Sequence, residues 1–197
     1  MKRCVFFDRD GIVNRSPGPG YVERWNDFFL FPEFIDVLRL VDAAAYVAVV
    51  VTNQRGVARG LMTRETVEDI HRRLQDLLRE QSGLTLLDIL YCPHEEGECD
   101  CRKPRPGMLI EAARRHGIDL AASWMVGDSE HDVEAGKRAG CRTIRVAGEN
   151  EDSAADVKLV DLGALARWIR EGGLSRPKRP PLKEEANTEV TPCRYQW

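Results

Sequence analysis

Short runs of consecutive apolar residues, each ending abruptly in polar or charged ones, alternate along this chain with stretches whose apolar residues recur every three or four positions. Cys4-Val5-Phe6-Phe7 runs into Asp8-Arg9-Asp10, Tyr46 to Val51 into Thr52-Asn53-Gln54, Leu86 to Tyr91 into Cys92, and Ser123 to Val126 into Gly127-Asp128. Such runs predict buried parallel strands, with a further strand over Arg142 to Val146. Between them, Pro32 to Ala45 predicts a helix through Phe34, Ile35, Leu38 and Val41. Thr63 to Ser82 predicts an amphipathic one through Val67, Ile70, Leu74, Leu77 and Leu78, stopped at Gly83. A third covers Pro106 to His116.

This alternation predicts an α/β fold: a Rossmann-like parallel sheet with helices on both faces, joined by right-handed crossovers. Ligands of such sheets bind beyond the carboxyl ends of the strands. Four polar sets stand there: Asp8/Asp10, Thr52/Asn53, a cysteine cluster, and Gly127-Asp128. The pattern therefore predicts one crevice in which they meet.

Composition narrows the function. With 197 residues, 43% hydrophobic and 31% charged, the chain suits one main domain, expected over residues 1–173. Residues 174–197, with Pro177, Lys178, Arg179, Pro180 and Pro181, are expected to form a weakly ordered tail. A net charge of −3 disfavours nucleic acid, and no apolar run is long enough to span a bilayer. A cytoplasmic monomer is expected.

Asp8 is ionised at neutral pH and needs no base to act as a nucleophile; its obstacle is repulsion from a phosphate dianion. A divalent cation such as Mg²⁺ between carboxylates and phosphoryl oxygens removes that obstacle. Asp128 and Asp132 are the distant acids placed to complete such a site, Asp132 either on the metal, on its water, or holding Lys103. Lys103 supplies a cation, Thr52 a hydroxyl, and Asn53 a backbone N–H for the transferred group. Asp10 would protonate the leaving oxygen and then activate water. Cys92, His94, Cys99 and Cys101 offer three thiolates and an imidazole within ten residues, the donor set of a tetrahedral Zn²⁺ loop over 92–101. His71, on a charged helix face, and His116 are expected to be ordinary, Cys4 and Cys141 to be buried, and Trp25 either to stack on a substrate or to pack under its loop.

Asp8-Arg9-Asp10-Gly11-Ile12-Val13-Asn14, Thr52-Asn53-Gln54, Arg102-Lys103-Pro104 and Gly127-Asp128 with Asp132 resemble, in order and spacing, the four motifs of haloacid dehalogenase-like phosphatases. The resemblance implies catalysis through an aspartyl-phosphate on Asp8, with Asp10 as acid and base and Asp8, Asp10 and Asp128 as Mg²⁺ ligands. The cysteine–histidine loop is similar to that of heptose bisphosphate and histidinol-phosphate phosphatases, though only Glu95 to Glu98 separate His94 from Cys99. No insertion large enough for a cap domain separates the motifs. Selectivity is therefore expected from loops and from Arg102, for a small phosphorylated sugar or sugar-like metabolite. The implied substrate is D-glycero-D-manno-heptose 1,7-bisphosphate, cleaved at the 7-phosphate. The alternatives are histidinol phosphate, or an idle zinc-stabilised binding module.

Overall fold

The computed structural model describes residues 1–148 and 152–175. Six parallel strands form one sheet: β1 (Cys4–Phe7), β2 (Val47–Asn53), β3 (Asp88–Cys92), β4 (Trp124–Gly127), β5 (Arg142–Val146) and β6 (Val157–Leu159). Their order is β3-β2-β1-β4-β5-β6, so the chain winds outward in both directions from β1. The crevice of such a sheet opens where the winding reverses, at the carboxyl ends of β1 and β4. The five predicted strands are all present, β1 and β5 with the predicted bounds and the other three with ends displaced by one or two residues. Sequence periodicity missed β6, whose three residues are too few to show a pattern.

Side-chain alternation divides the core. Val5 and Phe7 of β1 and Val50 of β2 pack with α1 (Pro32–Ala43), α2 (Arg64–Ser82) and α5 (Leu162–Arg170). Cys4, Phe6, Val49 and Val51 face α3 (Gly107–His116) and α4 (Glu130–Arg138). Phe7 meets Phe34 edge-on at 5.2 Å, one contact among those that fix α1 against the strand carrying Asp8. Helix α2 begins where Thr63 accepts a hydrogen bond from the Thr66 N–H, and stops at Gly83 in the left-handed conformation. Cys4 and Cys141 are buried. Trp25 stacks on Phe28 under its own loop and packs on the core.

Among the described residues no cap domain interrupts the sheet, and no helix is long and apolar enough to cross a membrane. The core extends through Leu174, whose carbonyl accepts from the Tyr46 hydroxyl at 2.8 Å. Residues 176–197, the bulk of the expected tail, lie outside the described residues.

Candidate active site

β1 hands the chain to a tight turn at Asp8-Arg9-Asp10-Gly11. Gly11 has φ +98°, and a Cβ there would lie 2.0 Å from Asp128 Oδ2, so both the turn and the approach of β4's acid require glycine. Asp8, Asp128 and Asp132 thereby gather with carboxylate oxygens within 4.8 Å of one another. Burial first, then Asp132, pushes the Asp128 pKa up to about 6. Burial likewise pushes Asp8 up to about 7, against the pull of Lys103. Three acids beside one lysine leave a net negative pocket, which suits a divalent cation.

Lys103 completes the centre. Its ammonium donates to Asp8 Oδ1 at 2.7 Å and to the Val51 carbonyl at 2.8 Å, and pairs with Asp132 Oδ1 at 2.6 Å. Burial lowers its pKa, but Asp132 and Asp8 outweigh that and hold it above the ordinary lysine value. Asp132 is itself fixed at the start of α4, where Ser129 donates to Asp132 Oδ2 from both its N–H (3.1 Å) and its hydroxyl (2.6 Å). The capping box of that helix thus aims the acid that holds the lysine.

At the strand end of β2 the side chains of Thr52 and Asn53 take separate tasks. Thr52 is buried, and its hydroxyl oxygen accepts from Gln54 at 2.9 Å, which leaves the hydroxyl proton to donate. Asn53, expected to contribute a backbone N–H, uses its side chain to bind the backbone of Lys103: Nδ2 donates to the Lys103 carbonyl and Oδ1 accepts from the Lys103 N–H, each at 3.0 Å.

Asp10, expected among the cation ligands, is not one of the gathered carboxylates. Its side chain accepts instead from Arg9, from Asn14 at 2.9 Å and from Gln54 at 3.1 Å. Arg9, Asn14 and Gln54 lie within the motifs, but nothing in the sequence shows that all three converge on Asp10. His71 departs from expectation too: it is buried, with Nε2 3.2 Å from Arg9 Nη1. Helical periodicity marks it only as a polar residue one position after Ile70.

Cys92 Sγ, His94 Nδ1, Cys99 Sγ and Cys101 Sγ converge beside β3, with separations of 3.2 to 3.5 Å in the pairs that touch. Tetrahedral Zn–S bonds of ~2.3 Å would set such edges at ~3.8 Å, so the set fits a metal after slight expansion. A hydrogen bond from Cys101, ahead of those from His94 and Cys99, pulls the Cys92 thiol down to about 5. Arg102 follows the loop at the rim, half-buried, with Nη1 3.5 Å from the His94 carbonyl. Glu95 pairs with Arg59 at 2.7 Å and Arg55 at 3.7 Å, and Arg55 donates to the Tyr21 hydroxyl at 3.3 Å, so three loops join around an uncapped entrance.

A family model described as HAD-hydrolase-like matches residues 100–163. D-glycero-beta-D-manno-heptose-1,7-bisphosphate 7-phosphatase of Pseudomonas putida is 37% identical over 175 residues, 85% of this chain and 99% of the relative. D-glycero-alpha-D-manno-heptose-1,7-bisphosphate 7-phosphatase of Mycobacterium bovis is 37% identical over 170 residues, 83% of this chain and 89% of the relative. The solved structure of D,D-heptose 1,7-bisphosphate phosphatase from B. bronchiseptica, complexed with magnesium and phosphate, matches with a TM-score of 0.75 at 32% identity, covering 86% of this chain and 99% of that one. Such similarity, carried over nearly the whole length of these relatives, places the chain in the haloacid dehalogenase-like hydrolases, as a phosphoric monoester hydrolase of the family that includes the heptose-1,7-bisphosphate 7-phosphatases.

Proposed function

We propose that this enzyme removes the 7-phosphate of D-glycero-D-manno-heptose 1,7-bisphosphate through an aspartyl-phosphate on Asp8. The observation that carries the reading is the convergence of Asp8, Lys103 and Asp128 at the β1/β4 crevice. A binding module would have no use for a buried nucleophile already paired with a cation. Asp8 and Asp128 would hold Mg²⁺ through their carboxylates and Asp10 through its main-chain carbonyl, since its carboxylate is occupied by Arg9, Asn14 and Gln54; when bound, the cation offsets the charge between these acids and the phosphoryl oxygens.

An Asp8 carboxylate oxygen attacks phosphorus as the P–O bond to the sugar breaks, and Asp10 gives its proton to the departing oxygen. Thr52 donates to a phosphoryl oxygen, and the charge of Lys103 offsets that of the transferred group. Asp10, now ionised, takes a proton from the water that attacks the aspartyl-phosphate, releasing phosphate and restoring Asp8. Donation from Arg9, Asn14 and Gln54 holds the Asp10 carboxylate in one orientation through both transfers.

We further assign Zn²⁺ to Cys92, His94, Cys99 and Cys101. There it holds the segment that delivers Lys103, while Arg102 at the rim engages the rest of the substrate. Phosphate release with Mg²⁺ from both anomers of the heptose bisphosphate, with histidinol phosphate for comparison, tests the reading. It predicts a strong preference for one heptose anomer and no turnover by Asp8→Asn. Equal slow rates on all three compounds, or an active Asp8→Asn enzyme, would refute it.

A further inference from the structure

The hydrogen bonds of Asp10 lead inward, away from the phosphate. Arg9 is fully buried and presents Nε and Nη2 to Asp10, with contacts of 3.1 and 3.0 Å to Oδ1 and 2.9 Å to Oδ2. Its remaining terminal nitrogen, Nη1, lies 3.2 Å from His71 Nε2. A guanidinium has only donors, so His71 must accept through the Nε2 lone pair. That fixes the neutral tautomer with its proton on Nδ1. Burial, with the charge of Arg9 second, pushes the His71 pKa well below the ordinary imidazole value, in agreement.

His71 is firmly seated. It stands on α2, a 19-residue helix capped at both ends, and its ring meets Tyr91 edge-on at 5.7 Å. The Tyr91 hydroxyl in turn donates to Glu68, one turn earlier on the same helix, at 3.0 Å. Asn14 and Gln54 each reach a single oxygen of Asp10, whereas Arg9 spans both. The plane of the guanidinium therefore sets the plane of the carboxylate, and His71 sets the plane of the guanidinium.

We propose that His71 is a positioning residue for catalysis: as a neutral acceptor it orients Arg9, and through Arg9 it aims the Asp10 carboxylate at the leaving-group oxygen. The inference rests on the assignment of Asp10 as the acid. It concerns how that acid is held, and no step of proton transfer runs through His71.

The test exploits leaving-group chemistry. A sugar alkoxide must be protonated as the P–O bond breaks, whereas p-nitrophenolate departs without a proton. In kcat/KM, which reports the phosphorylation step, misaiming Asp10 penalises the sugar phosphate selectively. His71→Leu, which removes the acceptor, is expected to lower kcat/KM for the sugar phosphate about tenfold and for p-nitrophenyl phosphate less than threefold. His71→Gln, whose amide oxygen can accept from Nη1, should recover most of the loss. The ratio between the two substrates is measured on active molecules only, so partial misfolding does not alter it.

Asp10→Asn serves as the reference and should show the same selectivity more strongly. Equal losses on both substrates in His71→Leu, or no loss on either, would overturn the inference while leaving Asp10 as the acid. An Asp10→Asn enzyme without selective loss would overturn the acid assignment and the inference together.

Discussion

The ammonium of Lys103 lies 2.7 Å from Asp8 Oδ1, although 95 positions separate the two residues. The fold itself holds the proposed nucleophile against this ammonium, so the arrangement costs little reorganisation at the moment of reaction.

Lys103→Met should therefore lower kcat/KM for the sugar phosphate by about 10²–10³-fold, the scale on which removal of a charge-stabilising donor is felt. Lys103→Arg should not rescue it. The pocket is closed by Asp8, Asp132 and the Val51 carbonyl, the lysine side chain is 2% exposed, and a planar fork is larger than an ammonium. Steady-state kinetics of both variants with Mg²⁺ decides this, and a lysine-like arginine enzyme would contradict the geometry.

Asn53 offers a sharper probe, because both ends of its amide bind the Lys103 backbone. Asn53→Asp keeps the acceptor for the Lys103 N–H but turns an oxygen toward the Lys103 carbonyl. It should lower unfolding stability by roughly 1–3 kcal/mol and reduce kcat more than it raises KM. Urea unfolding and kinetics on one preparation test this. A rise in KM alone would assign Asn53 to substrate instead.

Lys103 and Asn53 differ in how much of their role the sequence carries. Lys103 was legible because a motif lysine follows a metal-type loop, and Asp8 and Asp128 because each ends an apolar run. The helix over Arg64–Ser82 was legible almost to the residue, since its periodicity is regular and Gly83 stops it; Thr63, expected as its first residue, is its cap. The task of the Asn53 side chain was not legible: its partner lies 50 positions away, and the reading of its backbone N–H for phosphate says nothing of where the amide goes. His71 was misjudged for a related reason. Helical periodicity averages over a face, whereas the buried Arg9 that takes up its lone pair comes from another element. The resemblance implies Asp10 as a cation ligand without saying through which oxygen, and only the fold shows three donors occupying its carboxylate.

Metal analysis of the purified enzyme should find one zinc per chain, bound through Cys92, His94, Cys99 and Cys101. Cys99→Ala removes one of four ligands and should lower the zinc content, the melting temperature and kcat together. The loss of kcat follows from Lys103, which the loop delivers two residues after Cys101. Zinc-free wild-type enzyme with full activity and unchanged melting would refute the metal assignment.

The buried acids make stability depend on pH in a direction that can be worked out. Asp8 is raised from 3.8 to about 7 and Asp128 from 3.8 to about 6, in each case by burial first. Without a metal, the folded protein holds protons that the unfolded chain has released. This contribution is fully present below about pH 4 and is lost as pH rises through 6 and 7. His71 has the opposite sign, because a lowered imidazole pKa makes the fold gain stability as pH rises toward 6.5. Subtracting Asp8→Asn from wild type cancels the histidine. In EDTA, the melting temperature of the wild type minus that of the variant should fall steadily between pH 5 and 7.5. Excess Mg²⁺ should raise the wild type most at pH 7.5, where Asp8 is ionised, and should raise the variant less. A difference that is flat or rises with pH in EDTA would mean that Asp8 is already ionised in the metal-free fold, with Lys103 outweighing its burial.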